Sequence, residues 1–252
     1  MNFSNNNINI YENKETANYY GNLAGLQEVE KYFFEKIIKP TSVILDVGIG
    51  GGRTTECLKD IVASYTGIDY SKTMIDICKQ KYHGLDLHVI DATDLSKFAS
   101  NSFDVVVFSF NGIDYIYPDI KRMKCLSEVY RVLKADGCFI FSSHYSRPIY
   151  IKPCFIGAPL HKVLWRIIRA IFKTTELFLK NFISKSFWTG QGYIYDSIHG
   201  QGGLLTHVTT PEYVEDELKS HGFKLIETVG NNFPNKESKY STLWYYYSAL
   251  KI

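Results

Sequence analysis

Residues 42–58 read SVILDVGIGGGRTTECL. An apolar, β-branched run from Val43 to Val47 carries Asp46 near its end, passes through Gly48, Gly50, Gly51 and Gly52, and leaves on helix-forming residues. A continuous apolar run of this length suits a strand buried on both faces of a parallel sheet. Glycines at its carboxyl end allow positive φ and let a ligand approach the backbone closely. In an open α/β sheet, ligands bind beyond the carboxyl ends of the strands, near the point where strand order reverses. The stretch therefore predicts a strand, a ligand-binding turn and a helix in succession.

Two familiar glycine loops do not fit it. A nicotinamide fingerprint starting at Gly48 needs a third glycine where Arg53 stands, and it has no use for the preceding acid. A phosphate loop requires Gly-Lys followed by Ser or Thr, which the stretch lacks.

Outward from this stretch, strand and helix patterns alternate. Upstream, apolar residues at helical spacing predict one helix over Tyr19 to Ile38, stopped by Pro40, and residues 1 to about 15 read as a loose arm. Downstream, the pattern predicts helices over 54–62, 71–81 and 121–133, and strands over 64–69, 85–90, 102–110 and 138–142, with KADG as a turn. The rhythm breaks over 145 to about 206 and resumes at Thr210-Pro211-Glu212, an N-cap followed by proline at the first helical position. A helix to His221, a strand over 223–229 and a last strand in LWYYYSALKI complete the reading. Strands alternating with helices of this length imply βαβ units and a doubly wound parallel sheet. We divide the chain into an arm and helix (1–39), a core (40–145), an insertion (146–206) and a completing segment (207–252) of one domain.

Composition constrains function more weakly. The 252 residues carry a net charge of +2, which gives no whole-protein argument for nucleic acid. The five cysteines are scattered and fall in no metal-ligand spacing, so reduced thiols and no metal are expected. The Asn-rich start, MNFSNNNINIYENKE, lacks the order of a signal peptide, and no apolar run is long enough to span a bilayer; a soluble, cytoplasmic protein is expected.

Two further acids repeat the placement of Asp46. Asp69 ends the second strand in YTGIDYS, where a carboxylate can accept both hydroxyls of a ribose. Asp91 follows the third in VIDATDL, where it can accept from the amine of adenine, with Ala92 offering its backbone amide. Acids repel phosphates, so three of them on successive strand ends describe a pocket for a nucleoside that carries positive charge elsewhere. Asp46 capping the next turn and Asp69 capping the next helix are the plainer alternatives.

Taken in order, VILDVGIGGGRT, YTGIDYS, VIDATDL, FDVVVFSFNGIDYI and EVYRVLKADGCFIFSSH resemble the class I S-adenosylmethionine-dependent methyltransferases over residues of about 30–145 and again 207–252. The resemblance implies a mostly parallel, seven-stranded, Rossmann-like sheet with an antiparallel final strand, and S-adenosyl-L-methionine as cofactor. It implies that Gly48, Gly50 and Gly52 hold the methionyl part, and that Asp46 orients the loop or meets the methionyl ammonium. Asp69 would meet the ribose and Asp91 the adenine, with Tyr70 and Met74 packed on the adenine faces. Ser109, Phe110 and Asn111 would lie nearest the transferable methyl; Met74 as plain core remains open.

Methyl transfer needs alignment, and a hydroxyl acceptor also needs a general base within reach. Candidate bases are His144, Asp114, His199 and His207; His144, just after the fifth strand, is best placed, and His207 before Thr210 can simply face solvent. The insertion contains LHKVLWRIIRAIFKTTELFLKNFISKSFW (160–188), with Lys162, Arg166, Arg169, Lys173 and Lys180 on one stripe and an apolar face opposite. It reads as a lid helix over the active site, or as a basic amphipathic helix in peripheral contact with a membrane. The glycine-rich GQGYIYDSIHGQGGLL (190–205) reads as a flexible loop that, with Tyr11, Tyr19 and Tyr20 of the arm, could close an aromatic-walled acceptor pocket. The acceptor expected is a small metabolite, methylated on oxygen or nitrogen, with a lipid acceptor or a non-catalytic cofactor-binding module as alternatives.

Overall fold

The computed structural model describes residues 7–145, 191–196, 204–235 and 242–252. The helix expected over 160–188, His199 and Cys154 lie outside them. Three helices come first: α1 (Asn7–Glu12), α2 (Lys14–Gly21) and α3 (Glu28–Ile37). There follow β1 (Val43–Val47), α4 (Arg53–Leu58), β2 (Ser64–Asp69), α5 (Lys72–Lys81), β3 (Asp86–Val89), β4 (Phe103–Phe108), a 3-10 turn (Gly112–Tyr115), α6 (Asp119–Val132) and β5 (Leu133–His144). The chain ends in β6 (Gly192–Asp196), β7 (Leu204–Val208), α7 (Pro211–Ser220), β8 (Phe223–Gly230) and β9 (Trp244–Lys251).

One seven-stranded sheet runs β3-β2-β1-β4-β5-β9-β8. The pairs β1–β2, β2–β3, β1–β4 and β4–β5 are parallel, and β9 is antiparallel to both β5 and β8. Strand order reverses at β1, between β2 and β4, so a crevice opens there beyond the strand tips. Alternation along the strands divides the core into two layers. Val106, Phe139 and Phe141 pack on one face with Leu126, Val129 and Val132 of α6. Val105, Val107 and Ile140 pack on the other with Phe33, Phe34, Leu58 and Ile75. This is the doubly wound arrangement that the alternating pattern predicts.

Three departures have local causes. The arm is helical, not loose: the Asn13 side chain accepts from the Glu15 N–H at 2.8 Å and caps α2. The single helix expected over Tyr19 to Ile38 is two, because the chain leaves α2 at Gly21 and Gly25 takes φ +76°. A new N-terminus then starts at Gln27, whose N–H donates to the Glu30 carboxylate at 2.8 Å. The residues KADG lie inside β5: Phe103 pairs with Leu133 and Val105 with Cys138, so the four residues bulge opposite Asp104 alone.

The segment read as a flexible loop also contains structure. Tyr193 to Tyr195 of β6 pair antiparallel with Leu205 to His207 of β7, and all of β7 is buried. The described cysteines are free thiols, and among the described residues no helix is long and apolar enough to cross a membrane.

Candidate functional site

The crevice at the reversal point is a pocket lined by Gly48, Ile49, Gly50 and Gly51 after β1, Asp69, Tyr70 and Met74 after β2, and Ile90 to Thr93 after β3. Phe108, Ser109 and Phe110 of β4 and its tip, then Tyr115, Ile116, Tyr117 and Lys121, line its other side, and Tyr11, Tyr20 and Leu23 come from the arm. Short connections after strands of one parallel sheet bring these distant residues together. Gly50 has φ +54°, and a Cβ there would meet nothing within 4 Å, so its backbone is open to the pocket. Gly51 is needed for another reason: its Cβ would lie 2.4 Å from the Gly21 backbone of the arm. Gly52 does not line the pocket; it starts α4 and packs against the Tyr82 ring.

The three acids divide by task. Asp46 lies behind the loop, its Oδ2 accepting the hydroxyls of Thr54 at 2.6 Å and Tyr65 at 2.8 Å. These bonds tie the end of β1 to α4 and β2, while its buried Oδ1 has no partner. Asp69 joins two strand tips, accepting the Gly50 N–H on Oδ2 and the Ser71 N–H on Oδ1, both at 2.9 Å. The carboxylate lines the pocket, where its remaining acceptor capacity can meet ligand hydroxyls. Burial pushes the carboxyls of Asp46 and Asp69 up to about 6. Asp91 is exposed at the rim, with Oδ1 accepting the Thr93 N–H at 2.9 Å.

Two further polar atoms await a ligand. The Tyr70 hydroxyl and Ser109 Oγ are buried on pocket-lining residues without a hydrogen-bond partner. Buried polar groups are ordinarily paired, so unpaired ones beside a pocket mark positions that a bound molecule satisfies. With the open Gly50 backbone and the Asp69 carboxylate, these polar groups fit an adenosyl compound.

Sequence reasoning missed Arg53 as a pocket residue. It lines the pocket, its guanidinium lying 4.9 Å from the Phe110 ring centroid and gripped by the buried Glu30 carboxylate at 2.5 and 2.6 Å. Only the absence of glycine at 53 in a glycine run signalled it. Phe110 and Asn111 both take positive φ, +56° and +62°. Phe110 thereby faces the pocket, whereas Asn111 turns away from it, its N–H donating to Ser142 Oγ at 2.7 Å.

Behind the β4 side lies a second cluster. Asp114 is buried and fully engaged: Oδ1 accepts from Arg122 at 3.0 Å and Ser143 at 2.8 Å, Oδ2 from the His144 N–H at 2.6 Å and from His144 Nδ1 at 2.9 Å. Burial would raise its carboxyl, but the His144 hydrogen bond and the Arg122 charge outweigh it and hold the group below the usual carboxylate range. With its acceptor sites filled, Asp114 cannot take a proton from an acceptor molecule and acts as a positioning group, which corrects the expectation of a base there. Its carboxylate fixes the proton of His144 on Nδ1, leaving Nε2 to accept from Asn111 Nδ2 at 3.2 Å. His144 is not among the pocket-lining residues; it meets the pocket through the Tyr115 ring, 6.0 Å away centroid to centroid.

Of the remaining candidates, Tyr11 and Tyr20 line the pocket, while Tyr19 is 59% exposed on the outer side of α2. His207 does not face solvent: it is 1% exposed, its Nδ1 4.0 Å from Asp114 Oδ1. Burial, then the nearby Arg122 charge, pushes its pKa down to about 3. The unfolded chain takes up a proton near pH 6.5 and the folded one resists it, so this stability is present above 6.5 and is lost as pH falls toward 3. Relative to His207→Gln, the wild type is expected to lose about 2 kcal/mol between pH 7 and pH 5. Urea denaturation of both proteins at the two pH values checks this; parallel curves would refute it.

Comparison with known proteins follows the same lines. A family model described as a methyltransferase domain matches residues 45–141. An uncharacterized protein of Methanocaldococcus jannaschii is 31% identical over 208 residues, which cover 82% of this chain and 71% of its own. A ubiquinone/menaquinone biosynthesis C-methyltransferase of Geotalea daltonii is 33% identical over 141 residues, 50% of this chain and 56% of its own. The solved 1,6-didemethyltoxoflavin-N1-methyltransferase of Burkholderia thailandensis, with bound 1,6-didemethyltoxoflavin and S-adenosylhomocysteine, shares the fold. Its TM-score is 0.57 at 14% identity, covering 88% of this chain and 75% of that one.

Proposed function

We propose, because the chain belongs to the class I S-adenosylmethionine-dependent methyltransferases, that its methyl group goes to an oxygen or nitrogen of a small metabolite. The cofactor supplies a methyl on a sulfonium, open to in-line displacement by a nucleophile. Asp69 would hold the ribose, the Gly48–Gly50 backbone the methionyl part, and Asp91 with the Ala92 amide the adenine, between Tyr70 and Met74. The observation that carries the acceptor reading is the composition of this pocket. Its β2–β3 side is acidic and holds the adenosyl donors and acceptors, while its β4 side is walled by Phe110, Tyr115, Ile116 and Tyr117. A wall of that kind suits a compact planar or aromatic molecule and keeps water from the reacting atoms.

For a hydroxyl acceptor, His144 is the group that can take the proton, at Nε2, once the Asn111 amide yields that position. A half-turn of the amide would present Asn111 Oδ1, now without a partner, to a protonated Nε2. One side chain can thus serve either charge state of the imidazole. His144→Ala is expected to slow turnover of a hydroxyl acceptor about 100-fold and to leave an amine acceptor near the wild-type rate. Radiolabelled methyl transfer to a panel of phenols and amines measures both. Failure of every acceptor class to become labelled while S-adenosylmethionine binds would favour a non-catalytic module.

A second reading rests on the Geotalea relative, whose name places it in quinone biosynthesis and its methyl on carbon. A hydroxylated ring deprotonated by His144 would carry charge on carbon as well as oxygen, so the same site serves. Product analysis by mass spectrometry and NMR separates C- from O-methylation.

A further inference from the structure

The arm is tied across the pocket by polar groups that the adenosyl site itself does not use. Tyr11 is the central ring, with the rings of Tyr20, Tyr70 and Tyr115 at 5.8, 6.0 and 5.8 Å, centroid to centroid. The residue after it, Glu12, reaches to another element. Its carboxylate accepts the Lys72 N–H at 2.6 Å and the Thr73 N–H at 3.3 Å, and also the Thr73 hydroxyl. These are the first two N–H groups of α5, which an α-helix cannot satisfy internally. A carboxylate there is favoured by hydrogen bonding and by the helix dipole. Burial would raise the Glu12 carboxyl, but the bonds from Thr73 and Lys72 outweigh it and hold it below its ordinary value. At the far end, Asn7 is 2% exposed and clamps Leu205 of β7, donating to its carbonyl at 2.9 Å and accepting its N–H at 3.1 Å. The Lys81 ammonium holds the Gly21 carbonyl, and Gly51 lets the arm rest directly on the glycine loop.

We propose that residues 7–21 are a strap that must lift for the adenosyl ligand to enter and leave, and that Glu12 is its latch. This rests on the cofactor reading above. The strap borrows its fastening from α5, the helix that follows the Asp69–Tyr70 tip, so the fastening and the proposed ribose contact lie on adjoining segments. Glu12 is a positioning residue: it sets Tyr11 over the pocket and touches no ligand.

The probe is S-adenosylhomocysteine. In Glu12→Ala, its dissociation and association rates are both expected to rise about tenfold, because opening the strap limits both directions, and Kd changes far less. A dissociation rate within twofold of wild type overturns the latch, and so does a rise in dissociation alone, which signifies a lost contact. Hydrogen exchange in the unaltered protein gives an independent reading. Amides of residues 7–21 should slow about tenfold on saturation with S-adenosylhomocysteine, and equal exchange with and without it overturns the strap. If the wild-type protein binds no S-adenosylhomocysteine, the cofactor reading fails first.

Discussion

Asp69→Ala is expected to weaken S-adenosylhomocysteine binding by about 100-fold, read by calorimetry, while leaving the melting temperature of the ligand-free protein unchanged or raised. The two effects part because Asp69 works at a cost. Its carboxylate is 6% exposed, and burial lifts it to about 6 even against the backbone N–H bonds that lower it. Removing it relieves that burial penalty in the free protein. It also frees Gly50, whose N–H it holds at 2.9 Å, and the Ser71 N–H at the start of α5. A hydrogen bond to a charged group contributes about 1.5–3 kcal/mol, and 1.4 kcal/mol is about tenfold in affinity. Losing a ribose acceptor and the fixed Gly50 backbone together gives the stated loss. The same carboxyl sets a pH dependence. Its folded value is raised above the ordinary 3.8, so it is ionised at pH 7 and takes up a proton as pH falls through about 6. A protonated Asp69 turns one of its oxygens into a donor, so affinity should fall below pH 6 in the wild type and lose much of that slope in Asp69→Asn. An alanine variant within threefold of wild-type affinity would remove Asp69 from the ribose.

Asp69 was legible because everything that places it is local. A buried parallel strand announces itself by a β-branched run, and the residue at its tip follows by counting; Asp46, Asp91 and Ser109 were found in the same way. The arm was illegible for the opposite reason. Helices α1 and α2 have six and eight residues, too short to show a clear period, and what orders them is Asn7 reaching Leu205 and Glu12 reaching Lys72. Such pairs have no sequence signature. The strands β6 and β7 failed similarly: GYIYD sits among glycines that read as loop, and its partner LLTHV is recognisable only once the pairing is known. His207, a candidate base whose place before a helix also allows it to face solvent, is buried by that same pairing. Spacing finds what a strand tip presents, and it misses what distant segments hold in place.

Arg122 is the clearest case of the second kind, and its loss should be the costliest single change to stability. It stands on α6 in a run of basic residues, IKRMK, where solvent exposure is the ordinary expectation, yet it is 1% exposed. Its Nε and Nη2 donate to Glu217 of α7 at 2.8 and 3.0 Å, and Nη1 donates to Asp114 at 3.0 Å and to the Ile113 carbonyl at 3.1 Å. One guanidinium therefore neutralises two buried carboxylates, Asp114 and Glu217, that stand far apart in sequence. Arg122→Met keeps much of the apolar stem but strands both acids, for which the expected cost is about 3–5 kcal/mol. At about 2–4 °C per kcal/mol for a chain of this size, the melting temperature should drop by roughly 6–20 °C. The sign of the pH dependence tests the cause. Without the guanidinium, Asp114 and Glu217 stay buried without that counter-charge, and burial favours the neutral carboxyl, so the variant is penalised more as pH rises. The deficit of the variant should accordingly be smaller at pH 5 than at pH 8, and Glu217→Gln added to Arg122→Met should recover part of it at pH 8. The loosened Asp114 would also release His144, so turnover of a hydroxyl acceptor should fall in the folded fraction while S-adenosylhomocysteine affinity holds. A deficit equal at both pH values, unrelieved by the second substitution, would mean that lost packing sets the cost and that the paired charges contribute nothing to holding α6 against α7.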